Sequence, residues 1–163
     1  FGNSSSTDSK VELPEGAELG EHDIITFHDY EDGFAYAKKV NKSIMLDFTG
    51  YACVNCRKME INVWSDEKVL KVLKNDVVLI SLYVDDKRML PESEQYISKE
   101  TGKTVKTIGN KWSDFIITRY KTNTQPYYVL TDLNETNLNQ PIGYTPNIDE
   151  YLAWLKDGVG KFK

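Results

Sequence analysis

Apolar residues recur along this chain in two spacings, and the switches between them predict strands and helices in turn. After a polar start, Asp23 to Phe27 reads as a short strand, and Asp32 to Asn41 carries Phe34, Ala37 and Val40 at helical spacing. Ser43 to Thr49 is nearly all apolar, short, and bounded by Lys42 and Gly50, as expected of a central strand buried on both faces. From Cys53 the spacing turns helical through Cys56, Met59 and Val63. Ser65, followed by Asp66 and Glu67, predicts a fresh N-cap with acids in the first turn, so a second helical piece runs from Asp66 to Lys74 and the helix is bent or broken. Val77 to Val84 is the next apolar run. It completes a strand–helix–strand unit whose length suits a right-handed parallel crossover.

The stretch from Asp85 to Asn110 is polar and irregular and is expected to be an insertion, with a hairpin around Thr101-Gly102. Trp112 to Tyr120 predicts a short amphipathic helix, Tyr127 to Thr131 a strand, and Asp132 to Glu135 a turn leading to an edge strand at Ile142 to Tyr144. In the last helix Thr145 is the expected cap and Pro146 the first position. Ile148, Leu152 and Leu155 form its inward stripe, and Gly158 ends it. Residues 1–20 are rich in Ser, Asp, Glu and Gly and read as a linker, leaving residues 21–163 as one domain.

The bulk numbers narrow the function. A chain of 163 residues, 40% hydrophobic, is long enough to bury one sizeable core. Its 20 basic and 25 acidic side chains are interspersed and sum to −5, which argues against nucleic acid or an anionic membrane surface as partner. No apolar run, Val77 to Ile80 included, approaches the roughly 18 to 20 residues a membrane helix needs, so a soluble chain is expected. Two cysteines are too few for a disulfide scaffold and are the number a redox pair needs.

Those two are Cys53 and Cys56, separated by Val54-Asn55, following a buried strand and opening a helix. At a helix start Cys53 sits among backbone N–H groups without intrahelical partners, and the macrodipole favours a thiolate there. Cys56, three residues on, stacks beneath it and can close a small ring, so Cys53 is the expected attacking thiol and Cys56 the resolving one. A zinc half-site is disfavoured because zinc takes about four ligands and the chain offers only His22 and His28 besides the cysteines. No metal or cofactor is expected beyond the redox pair itself.

The stretch Asp47-Phe48-Thr49-Gly50-Tyr51-Ala52-Cys53-Val54-Asn55-Cys56-Arg57-Lys58-Met59-Glu60 resembles the active-site segment of thioredoxins, and most of all that of the C-terminal periplasmic domains of the DsbD family. Asp47 six residues before the first cysteine, Val54 after it, Glu60 four after the second, and Trp64-Ser65-Asp66 at the helix break all fit that pattern. Gln125-Pro126-Tyr127 resembles the loop that faces the cysteines in thioredoxin folds, where the X-Pro bond is cis. Ala52 departs from the Trp common before the first Cys, and the insertion is longer than in a minimal thioredoxin.

The resemblance implies a three-layer α/β/α thioredoxin fold with a central mixed sheet and an insertion before the third main helix. It also implies a protein-disulfide reductase that relays electrons from a membrane-embedded donor domain to periplasmic acceptors, held at the inner membrane in the full-length protein. A freestanding periplasmic reductase, as in cytochrome c maturation, and a non-catalytic binding module are the alternatives. The isolated domain is expected to be a monomer whose partners are protein thiols and disulfides.

Among the supporting residues, Asp47 interrupts an apolar strand, and a buried carboxylate is costly unless it is used, here as a proton acceptor near Cys56. Glu60 shares a helix face with Cys56; the alternative is a solvated Glu pairing with Arg57. Tyr51, Ala52, Val54 and Asn55 with Gln125 and Pro126 are the candidate partner-contact residues. The backbone at Gln125 is expected to offer β-type pairing to a partner chain. Tyr51 either shields the thiol or is a core aromatic, and Arg57 either supports a thiolate or is solvated.

Overall fold

The computed structural model describes residues 12–163. Five strands form one mixed sheet: β1 (Ala17–Leu19), β2 (Ile25–Phe27), β3 (Ser43–Thr49), β4 (Val77–Tyr83) and β7 (Tyr127–Thr131), in the order β1-β2-β4-β3-β7. β3 lies parallel to β4 and antiparallel to β7, while β2 is parallel to β4 and β1 antiparallel to β2. The helices are α1 (Tyr30–Val40), α2 (Val54–Asn62), α3 (Glu67–Asn75), α4 (Ile108–Tyr120) and α5 (Ile148–Gly160).

Strand periodicity divides the core between two faces. Ile44, Leu46 and Phe48 of β3 join Val78, Ile80 and Leu82 of β4 against Ala37 of α1 and Trp112 and Ile116 of α4. The intervening positions, among them Met45 and Leu79, face Met59 of α2, Val69, Val72 and Leu73 of α3, and Tyr151 and Leu155 of α5. All seven residues of β3 are buried, as its unbroken apolar run requires. This is the three-layer α/β/α arrangement with a mixed central sheet that the sequence predicts.

Differences from the sequence reading cluster at element ends. β1 lies inside the stretch read as linker, because its short run pairs with β2 without a strong apolar pattern of its own; the linker's residues 1–11 fall outside the described residues. Asp66, not Ser65, caps α3, its carboxylate accepting from the N–H groups of Lys68 and Val69, while the Ser65 hydroxyl donates back to the Ile61 carbonyl. Asn147 rather than Thr145 caps α5, and Tyr151 rather than Leu152 is central to its buried stripe. Gly158 does not end that helix. It lets α5 approach β7 so closely that a Cβ there would lie 2.3 Å from Leu130 Cδ1. Ile142 makes a single bridge to Tyr128 in place of an edge strand.

The insertion is present and holds the expected hairpin, β5 (Tyr96–Ile97) against β6 (Thr104–Val105). Its return leads into α4 through a capping box at Thr107 and Asn110, which starts that helix four residues earlier than its apolar pattern shows. Gly109 makes the close approach possible: its N–H donates to the Asp86 carbonyl at 2.8 Å, and a Cβ there would meet the Asp86 and Val84 backbone at 2.6 Å.

Candidate active site

β3 ends at Thr49, and Gly50 to Ala52 turn the chain into α2. Cys53 is the N-cap of α2, and its sulfur accepts from the Cys56 N–H at 3.2 Å. Cys53 and Cys56 are joined as a disulfide with Cα atoms 5.3 Å apart. Cys53 is half-buried whereas Cys56 is 1% exposed, the asymmetry expected of an attacking and a resolving sulfur. Val54 and Tyr51 stand out into solvent at 66% and 59% exposure, with Ala52 and Asn55 exposed beside them.

Asp47 occupies the α2 side of β3, because it alternates with Met45 of that face. It is buried, and its carboxylate accepts from the Ser81 hydroxyl at 2.8 Å across the β3–β4 pair. Burial pushes its pKa up to about 7; the Ser81 hydrogen bond and the charge of Arg57 oppose the rise and the charge of Glu60 adds to it. Glu60 is also buried on this face, and burial raises its pKa as well, against the pull of Arg57. It is therefore not a solvated Glu, although it does pair with Arg57: the Arg57 Nη2 donates to Glu60 Oε2 at 2.9 Å and to Thr49 Oγ1 at 3.1 Å. Arg57 is thus held as a counter-charge to Glu60 and is not free in solvent.

Tyr51 is not a core aromatic. Its exposed ring stacks on Tyr83, with centroids 4.0 Å apart. The Gln125-Pro126 bond is cis. Tyr127, which follows, pairs with Phe48, so this loop and the cysteine turn leave the sheet at the same end. His22 and His28 do not converge on the cysteines. His22 Nε2 donates to the Glu60 carbonyl at 2.7 Å, and His28 Nδ1 lies 3.1 Å from the Ser81 carbonyl. Among the described residues no group of three or more His, Cys, Asp and Glu is placed to hold a metal ion, and no helix is long and apolar enough to cross a membrane.

Three residues of this neighbourhood escaped the sequence reading. Ser81 and Tyr83 sit in an apolar run whose alternation, once the face of Asp47 is known, points them to the same side. Asp85 accepts from the N–H groups of Tyr51 at 2.8 Å and Ala52 at 3.1 Å, and nothing local in the sequence signals a contact across 33 and 34 positions.

The Thioredoxin-like family matches residues 24–108, more than half of the chain. The protein belongs to that family. Among solved structures it is similar to DsbH oxidoreductase, at 18% identity and a TM-score of 0.59 over 96% of this chain and 95% of that one. A thioredoxin from Thermus thermophilus shares 20% identity at a TM-score of 0.55, covering 79% of this chain and 82% of that one. The reduced C-terminal domain of DsbD from Neisseria meningitidis shares 12% at a TM-score of 0.54, over 77% and 90% respectively. No curated protein matches the chain by sequence. Membership of a Thioredoxin-like family and a bonded Cys53–Cys56 pair at a helix start together support a thiol–disulfide oxidoreductase.

Proposed function

We propose that this domain is a protein-disulfide reductase working as an electron relay of the DsbD type, located in the periplasm and supplied by a membrane-embedded thiol donor. The observation that carries the reading is the asymmetric pair: one sulfur reachable at a helix start, the other beneath it. In the reduced domain the Cys53 thiolate attacks one sulfur of a partner disulfide. A Cys53–partner bond forms, the partner S–S bond breaks, and the freed partner thiolate takes up a proton. Cys56 then gives up its proton and attacks Cys53 Sγ. The Cys53–Cys56 bond forms and the second partner sulfur leaves as a thiolate, so two electrons have passed to the partner. The donor's dithiol restores the pair by the reverse exchange.

Asp47 is the proton acceptor for Cys56 in this scheme, since a carboxyl that titrates near pH 7 both takes and returns a proton under working conditions. Tyr51, Ala52, Val54 and Asn55 form the exposed rim a partner would meet, and Gln125 and Pro126, in the loop that leaves the sheet at the same end, are assigned to the same contact. The test is a Cys56→Ser variant presented with periplasmic extract: mixed disulfides should accumulate on Cys53 and name the partner. In the reduced parent, Cys53 alone should be alkylated quickly. Equal labelling of both cysteines, or no turnover in insulin reduction, would count against a reductase and favour a binding module.

A further inference from the structure

We infer that Asp85 is the positioning residue for Cys53: its carboxylate clamps the turn that carries the attacking sulfur. The inference rests on the reductase reading for its kinetic consequence and on geometry alone for the clamp. The Cys53 N–H donates to the Gly50 carbonyl at 3.2 Å, closing a four-residue turn from Gly50 to Cys53. That bond leaves the N–H groups of the two central residues, Tyr51 and Ala52, without a partner inside the turn. Asp85 takes both, Oδ1 from Tyr51 at 2.8 Å and Oδ2 from Ala52 at 3.1 Å. Hydrogen bonds to a charged acceptor are roughly twice as strong as neutral ones, and two from one rigid carboxylate fix an orientation as well as a distance.

The clamp is itself held on both sides. Before Asp85, the Val84 N–H donates to the Thr49 carbonyl at 2.9 Å and the Tyr83 ring lies under the Tyr51 ring, so the chain leaving β4 supports the backbone just ahead of the turn and the side chain of Tyr51 within it. After it, Asp86 is tied to Arg88 and receives the Gly109 N–H. The first residue of the insertion therefore joins the nucleophile's turn to the base of α4. A turn without this clamp has two freed amides and one fewer constraint on the direction of Cys53 Sγ, and small misplacements of a reacting atom are expensive in rate.

A purely electrostatic role for Asp85 has the opposite sign. Removing a negative charge beside a thiol favours its thiolate and speeds attack at neutral pH, whereas removing a positioning contact slows it. The test uses the reduced parent with Asp85→Ala and Asp85→Asn. It reads amide exchange at Tyr51 and Ala52, the pH profile of Cys53 alkylation, and single-turnover reduction of a disulfide-bonded peptide. In Asp85→Ala both amides should exchange at least about tenfold faster with Leu46 unchanged, and peptide reduction should slow by about tenfold although the alkylation profile stays or moves to lower pH. Asp85→Asn, with one acceptor oxygen, should fall between. Unchanged exchange at both amides, or peptide reduction as fast as or faster than the parent, would overturn the assignment. A parent domain that reduces no disulfide would sink the reductase reading instead, with the exchange arm still deciding the clamp.

Discussion

Two aspartates in the described chain have little solvent exposure, Asp47 inside β3 at 2% and Asp86 just after β4 at 6%, but Asp47 lies deep between sheet and helix whereas Asp86 lies near the surface beside an exposed Arg88, and their ionisation is pushed in opposite directions. Asp47 has a neutral hydroxyl as its hydrogen-bond partner, so burial dominates and lifts its pKa to about 7. Asp86 is gripped by Arg88 through Nε and Nη2 and by the Arg88 backbone N–H, and these bonds hold its carboxyl below the usual range despite burial. Low exposure alone does not decide the protonation state of an acid; how deep the carboxyl lies and the charge and number of its donors decide it together. The active-site strand keeps an acid able to exchange a proton, while the insertion uses the same residue type as a fixed anion in its frame.

The contrast breaks most readily in kinetics. If Asp47 accepts the Cys56 proton, Asp47→Asn should slow resolution of a mixed disulfide by about 100-fold or more at pH 7 in single-turnover experiments, the range general-base groups supply. Asp86→Asn should leave that step within about twofold. Equal rates for parent and Asp47→Asn would remove Asp47 from the mechanism.

Stability against pH separates the two next. The folded pKa of Asp47 is above its unfolded value, so the folded state binds the extra proton and stability falls as pH rises from about 4 to 7, by up to about 4 kcal/mol at full burial. Asp47→Asn should remove that slope, and the parent–variant difference in Tm should grow steadily across the window. For Asp86 the sign reverses. Its contribution is present above the unfolded carboxylate range and is lost as pH falls below about 4, so Asp86→Asn should matter at neutral pH and cease to matter in acid.

Smaller effects sharpen the comparison. Asp47→Asn with Glu60→Gln should move alkylation of Cys53 to lower pH, because two carboxylates that disfavour its thiolate are gone. Glu60 adds little to this, since Arg57 already faces its charge at 2.9 Å. If the profile stays or rises, these acids do not govern Cys53. Smallest is the cost of Asp86→Asn at pH 7, a fall of roughly 2 to 4 °C in Tm, because Arg88 is exposed and water screens the pair.

How much of this was legible in the chain varies with sequence distance. The run from Ser43 to Thr49, the helical recurrence from Cys53 and the hairpin near Gly102 are local patterns, and each appears where the spacing puts it. Caps were read less well: Ser65 and Thr145 are good N-caps by type, yet Asp66 and Asn147 take those places, since a cap is chosen by where packing starts the helix. β1 was missed because a three-residue edge strand, two of its residues exposed, has almost no apolar signature.

The sequence by itself determined the order of elements, the burial of β3 and the placing of Cys53 and Cys56 one turn apart at a helix start. It also marked Asp47 as an anomaly inside an apolar strand. Only the tertiary structure decided what that anomaly meets. The Ser81 hydroxyl beside Asp47, the Tyr83 ring under Tyr51 and the Asp85 carboxylate on the Tyr51 and Ala52 amides all come from the parallel pairing of β3 with β4. Parallel neighbours are joined through a long crossover, so their register follows from how two helices pack on the sheet and leaves no local pattern in the residues that end up in contact.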